Sequence, residues 1–294
     1  MVGDKGFKKF FVICIFLLPN FIGFIFFIGV PILASFGLSF TEWDLISNPS
    51  WIGIEHYKAL WGDEEFRSAL FHTFYFIAGY LPLVMSGALG IALVLNKKIR
   101  GRVFFRAAYF VPVITSWVAV SLIWKWLFNP TYGLINYGLS IIGVSGPAWL
   151  HDPTWAMPAI ILTSVWKDLG FVMVIYLAGL QGISPTYYEA ADIDGASPWQ
   201  KFRNITLPLL NSTTFFVLII SLINSFQVFD QVMIMTEGGP AGSTTVLVQQ
   251  IYKHAFDYYE MGYASAISWV LFFIIFGVTL VQMKLQKRWV DYGN

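Results

Sequence analysis

The chain predicts an all-α integral membrane protein with six transmembrane helices and cytoplasmic N- and C-termini. Three observations predict it. Apolar residues make up 57% of the sequence and charged residues 12%, against about a quarter charged in ordinary soluble domains. Apolar runs that reach the roughly twenty residues needed to cross a bilayer recur near 10–38, 69–95, 107–128, 158–180, 209–235 and 265–283. Lysine and arginine concentrate on alternate connections between those runs, which fixes an orientation.

The run at 10–38 follows Lys5, Lys8 and Lys9, as a secretory signal would. It is too long for a signal core and no clean small-x-small cleavage site follows, so it reads as an uncleaved first span. The later runs contain Gly, Pro or polar breaks, which membrane helices tolerate when neighbours satisfy the backbone. Cys14 is the single cysteine, so no intrachain disulfide framework exists. The whole of 1–294 reads as one transmembrane domain, without an evident repeat or low-complexity segment.

With the N-terminus inside, the inner connections hold Lys5, Lys8, Lys9, Lys97, Lys98, Arg100, Arg102, Arg106, Lys201, Arg203, Lys284, Lys287 and Arg288. The outer ones hold Lys58, Arg67 and Lys253, while Lys125 and Lys167 fall inside spans. This asymmetry puts both termini and the 181–208 connection in the cytoplasm. The net charge of +1 leaves no basic footprint for nucleic acid. Twelve Trp and twenty-eight Phe suit lipid contact, and Trp43, Trp51, Trp61, Trp149 and Trp155 read as interface anchors.

The 181–208 connection is the most informative polar stretch. It reads as two short helices with a tight corner. Ser184 can cap the first, with Pro185 in its first turn, and Gly195 can take the left-handed conformation that ends it. Ser197 can cap the second, with Pro198 at its first position and Gln200 at capping-box spacing. Tyr187, Ala190, Ala191 and Asp194 fall at helical spacing on one side. The small side chains there would let a partner approach the backbone.

Glu189-Ala190-Ala191, then Asp194-Gly195-Ala196, then Ile205-Thr206-Leu207-Pro208, resemble the EAA loop of the membrane subunits of ABC importers. Asn211 stands where that family often has a second proline. The resemblance extends over most of the chain and is to the carbohydrate-type permeases, nearer the maltose-permease first subunit in its compact six-span form. Leu18-Pro19-Asn20, Ser39-Phe40-Thr41, Arg106 through Pro112, Gly133-Leu134-Ile135-Asn136 and Thr236-Glu237-Gly238-Gly239-Pro240 carry it. It implies the type I importer permease fold, with Tyr187, Glu189, Ala190, Ala191, Asp194 and Gly195 as the ATPase-coupling residues. It also implies a second permease subunit, two ABC ATPase subunits, an extracytoplasmic solute-binding protein and a sugar substrate. ATP and Mg are expected in the ATPase and no cofactor in this chain. Glycerol phosphate or another polyol is the alternative cargo, since a related branch imports it and this chain has in-span lysines.

Polar residues inside the spans are the candidates for a substrate pathway. In the fifth run, Ser221, Asn224, Gln227 and Gln231 recur every three or four residues, with Asp230 beside them. In the fourth, Thr163, Trp166, Lys167 and Gly170 share a face, and Lys167-Asp168 falls near mid-depth, where a charge must meet a cavity or a partner. The pathway set is therefore Trp166, Lys167, Asn224, Gln227, Asp230 and Gln231; interhelical hydrogen bonding is the alternative role of the fifth-run stripe. For Lys125, snorkelling to the outer interface is expected.

Other classes find little support. There is no G-x-x-x-x-G-K-[ST], so ATP hydrolysis by that route is excluded. His56, His72, His151 and His254 are scattered, no metal-ligand spacing occurs, and no serine has a deep histidine to act as its base. A secondary transporter remains as a rival, although it would not need a paired-helix docking loop.

Overall fold

The computed structural model describes residues 4–289, with side chains over 9–285. The charges expected to act at Lys5, Lys8, Lys287 and Arg288, and the terminal residues themselves, lie outside that description. Helix accounts for 77% of the chain. Among the described residues the strands are two residues each, Thr41–Glu42 and Ser50–Trp51, paired antiparallel.

Among the described residues, four helices are long and apolar enough to cross a membrane: Lys9–Leu38, Glu64–Asn96, Pro153–Gln181 and Met261–Leu285. Two bent pairs raise the number to six if each is one span. These are Arg102–Ile114 with Trp117–Leu127, bent by 101°, and Pro198–Leu209 with Asn211–Phe226, bent by 64°.

Both bends have local causes. At the first, Thr115 is extended (φ −78°, ψ 141°) and Ser116 caps the next helix, its hydroxyl accepting from the Val118 amide at 3.2 Å. Pro112, one turn earlier, has already removed a backbone donor. At the second, a wide turn at Phe202–Thr206 precedes Pro208. The run expected at 209–235 also does not continue as one helix. It leaves helical conformation at Gln227 and resumes as the short Asp230–Met235 helix.

The chain divides into two compact units. One comprises residues up to Asp63 together with Ile251–Val270. The Lys9–Leu38 helix belongs to it, and none of the residues in its most apolar stretch is buried within the protein. Trp269 Nε1 donates to Ser35 Oγ at 3.2 Å, and its ring meets Phe36 edge-on. Around the strand pair a cavity of about 770 Å³ is walled by Trp43, Tyr258, Tyr263 and four carboxylates. Three of these have partners: Asp63 accepts from Tyr263 Oη at 2.5 Å, Glu260 pairs with His254 Nδ1 at 2.7 Å, and Asp44 accepts from the Ser47 hydroxyl and amide at 2.7 Å each.

The other unit comprises Glu64–Gln250 with the helix continuing from Leu271. Its core forms where Phe76, Tyr80, Val84, Ala88 and Ala92 of the Glu64–Asn96 helix meet Met157, Ile160, Val172, Met173 and Tyr176 of the Pro153–Gln181 helix. Small residues set the approach, as is usual between membrane helices. A side chain at Gly170 would run into the Tyr109 carbonyl, and one at Gly179 into Thr213 and Leu210. The Pro153–Gln181 helix is thereby the central element, with 61% of its most apolar stretch buried. Its polar groups therefore meet protein rather than lipid.

A polar cavity beside a broken helix and a capped surface loop

The break after Gln227 builds a cavity of about 310 Å³ lined by polar groups. Irregular backbone at membrane depth is tolerated where it lines a cavity, because the groups released from the helix ladder still find partners. Asn224, Ser225, Gln227, Asp230 and Gln231 come from the broken segment, Asp168 from the central helix, Phe76 and Tyr80 from the Glu64–Asn96 helix, and Trp117 from the start of the Trp117–Leu127 helix.

These groups differ in how far they are already engaged. Gln231 is 5% exposed and donates from Nε2 to Ser164 Oγ at 3.2 Å, tying the short helix to the central one. Asp168 Oδ2 accepts from the Tyr80 hydroxyl at 2.9 Å. Among the described residues, the side chains of Asn224, Gln227 and Asp230 carry no hydrogen bond, and all three are exposed. Two amides and a carboxylate thus remain available to a solute, each amide both donor and acceptor. The Trp117 ring adds flat apolar surface.

Of the expected pathway residues, the structure brings Asn224, Gln227, Asp230 and Gln231 together and places Lys167 and Trp166 elsewhere. Lys167 is 5% exposed. Its ammonium donates to the Pro112 and Val113 carbonyls at 3.3 and 3.1 Å and lies 4.8 Å from the centre of the Trp117 ring. Those carbonyls are among the last of the Arg102–Ile114 helix, so the lysine serves as its cationic C-terminal cap. Trp166 is 46% exposed and meets Trp124 edge-on. Lys125 donates to the Ile234 carbonyl at 3.3 Å. Sequence reasoning omitted Asp168, Tyr80 and Trp117 from the site. A signal was present for Asp168, a carboxylate near mid-depth of its run.

The 184–208 segment folds as its caps dictate. Ser184 Oγ accepts from the Thr186 amide at the start of the Pro185–Ile193 helix. That helix ends on Gly195 at φ 70°, where the Ala196 and Gly195 amides return to the Ala191 and Asp192 carbonyls at 2.9 and 3.1 Å. This 6→1 and 5→2 pairing needs a left-handed residue, which glycine supplies without strain. Ser197 and Gln200 form a reciprocal capping box. Lys201 is ion-paired with Asp192 across the corner, and Tyr188 Oη meets Thr206 Oγ1 at 3.0 Å. Tyr187, Glu189, Ala190, Asp194 and Gly195 are exposed and Ala191 is half-buried. Ile193 and Trp199 are 88% and 65% exposed. Exposed apolar side chains on a corner whose two helices are both capped form a surface suited to a protein partner.

Comparisons with known proteins agree with this architecture. The chain is 39% identical over 284 residues to the "Probable ABC transporter permease protein YesP" of Bacillus subtilis, covering 95% of this chain and 91% of that one. It is 35% identical over 277 residues to the "Trehalose/maltose transport system permease protein MalF" of Thermococcus litoralis, covering 92% of each. Among solved structures, a chain of a bacterial ABC transporter involved in the import of the acidic polysaccharide alginate superposes with a TM-score of 0.85 at 27% identity, covering 98% of this chain and 99% of that one. Residues 84–290 match the family described as binding-protein-dependent transport system inner membrane component. The chain therefore belongs to that family and is a multi-pass permease of the inner membrane.

Proposed function

We propose that this chain forms one half of the translocation pathway of an ATP-driven importer and carries a sugar or oligosaccharide across the cytoplasmic membrane. The cavity beside the broken helix carries this reading. Its unengaged Asn224 and Gln227 amides and Asp230 carboxylate suit hydroxyl groups, and Trp117 suits the C–H face of a sugar ring. Relatives named for trehalose/maltose and alginate transport support the cargo class. A neutral polyol would use the same donors and acceptors.

In this reading each bent pair counts as one span, giving six, with both termini inside. The distribution of lysine and arginine supports it. The 184–208 corner then faces the cytoplasm and docks an ATPase subunit through Tyr187, Glu189, Ala190, Ala191, Asp194 and Gly195, with Ile193 and Trp199 at its apolar rim. A second permease completes the pathway, a second ATPase docks on that permease, and a solute-binding protein delivers cargo from outside. ATP and Mg belong to the ATPase. Its closure moves the docked corner, which is stiff enough to transmit the motion, and the spans alternate between inward and outward access.

Uptake of two competing sugars by the assembled complex tests the pathway. Asn224→Ala and Gln227→Ala should lower uptake and change the ratio between the sugars at an unchanged amount of complex. Unchanged uptake and ratio for both variants would remove this cavity from the pathway.

A further inference from the structure

The charge lining the cavity is one-sided. Asp168 and Asp230 contribute two carboxylates, and among the described residues no lysine, arginine or histidine lines it. The two in-span lysines, which spoke for a phosphate-bearing cargo, are committed to backbone. Lys167 is adjacent to Asp168 and its charge partly offsets that carboxylate's, but adjacent helical residues point in different directions. Its ammonium is turned to the Pro112 and Val113 carbonyls, and Lys125 to the Ile234 carbonyl.

Neither carboxylate is neutralised by an ion pair among the described residues. Asp168 accepts a neutral phenol hydroxyl through one oxygen. The Asp230 side chain carries no hydrogen bond among the described residues, and Asp230 opens a helix of only six residues. The partial charge of so short a helix does not offset a full one.

We propose that Asp168 and Asp230 are specificity-determining residues that keep this half of the pathway electronegative, so that it admits neutral or cationic polyhydroxy solutes and rejects anionic ones such as uronates and sugar phosphates. The proposal rests on the reading of this cavity as part of the pathway. A solute anion about 7 Å from a carboxylate, at an effective dielectric near 20, is disfavoured by more than tenfold. A neutral sugar pays no such cost and gains two hydrogen-bond acceptors.

Charged thiol reagents read this potential without knowledge of the sugar. Asn224→Cys is placed in a Cys14→Ala background, and the importer is assembled with its partner subunits in nanodiscs. Modification of this chain is followed by mass, with and without ATP. The probes are a trimethylammonium and a sulfonate methanethiosulfonate, each rate normalised to its reaction with 2-mercaptoethanol. The cationic reagent should be favoured at least tenfold. Asp230→Asn, which removes no hydrogen bond, should reduce the preference severalfold, and combining it with Asp168→Asn, which can still accept from Tyr80, should bring it to within about threefold of unity.

Equal normalised rates in the unsubstituted background would overturn the charge proposal while leaving the pathway reading intact, because the cavity would be reachable. A preference that survives both asparagine substitutions would also overturn it, since the charge would then come from elsewhere. Failure of both reagents to react in any nucleotide condition would show a closed cavity, and the pathway reading would fall with the proposal.

Discussion

Lys167 Nζ lies 3.1 Å from the carbonyl oxygen of Val113, across two helices and 54 positions in the chain. An ammonium at membrane depth is costly unless paired. Carbonyls at a helix end are costly when nothing donates to them. Each group supplies what the other lacks, and the 101° break between Ile114 and Trp117 is what exposes the carbonyls. Lys167→Met should therefore lower the stability of the assembled subunit by about 1–2 kcal/mol. Thermal unfolding of the purified complex measures this; an unchanged midpoint would show that water satisfies the carbonyls instead.

Gly170 lies one turn beyond Lys167 on the same helix and permits the contact. A side chain there meets the Tyr109 carbonyl and Val113. Gly170→Val should cost about 1–3 kcal/mol by overpacking and reduce the yield of folded subunit. Normal yield and unfolding midpoint would mean that the two helices separate at little cost.

Gln231 and Asn224 share the cavity but should respond differently. Gln231→Ala removes the bond to Ser164, worth roughly 0.6 kcal/mol on average within membranes, and should shift stability more than sugar selectivity. Asn224→Ala should lower uptake roughly two- to tenfold, as expected for loss of about 0.5–1.5 kcal/mol of hydrogen bonding to cargo. Parallel uptake and unfolding measurements separate the two; identical patterns would assign both residues the same role.

The capped corner can be tested in the same way. Ser197→Ala should cost its helix about 1 kcal/mol, and Ala191→Arg should block close approach of a partner without disturbing insertion. Both should reduce co-purification of the ATPase or its solute-stimulated activity at normal levels of inserted subunit. Full coupling in both variants would remove the corner from ATPase docking.

Asp44 makes a prediction about pH. Bonds from the Ser47 hydroxyl, the Ser47 amide and the Ile46 amide hold its carboxyl at about 2, below the ordinary 3.8. Because the folded value is the lower one, the carboxylate stabilises its turn above about 3.8, and that contribution is lost as pH falls through about 2. Carboxyl carbon resonances should show Asp44 titrating near the lower value, and Ser47→Ala should raise it. A titration near 3.8 in the unsubstituted protein would mean that the turn is open in solution.

Legibility in the sequence followed the range of the interactions. The caps at Ser184, Gly195, Ser197 and Gln200 were readable because each depends on residues within a few positions. The apolar runs were readable because hydropathy is additive along a window. The breaks were not, since averaging over a window hides a two-residue interruption; Pro112 followed by Thr115 and Ser116 was the local sign of the first. Periodicity placed Asn224, Gln227 and Gln231 near one another, but it could not tell a bonded amide from an unengaged one. Lys167 shows the same limit. Its position on the helix was correct, while its partners came from the end of a helix that the sequence read as continuous.

The corner that carries Ile193 and Trp199 also bears on how the subunit is made. Two large apolar side chains, 88% and 65% exposed, are held outward by a scaffold too well capped to fold them away. A subunit synthesised ahead of its partners has no means of hiding them, and chaperones and proteases recognise such surface. On the proposed docking of an ATPase at this corner, balanced synthesis is expected to keep it covered, and a surplus of this chain to be degraded or to aggregate rather than to wait in reserve.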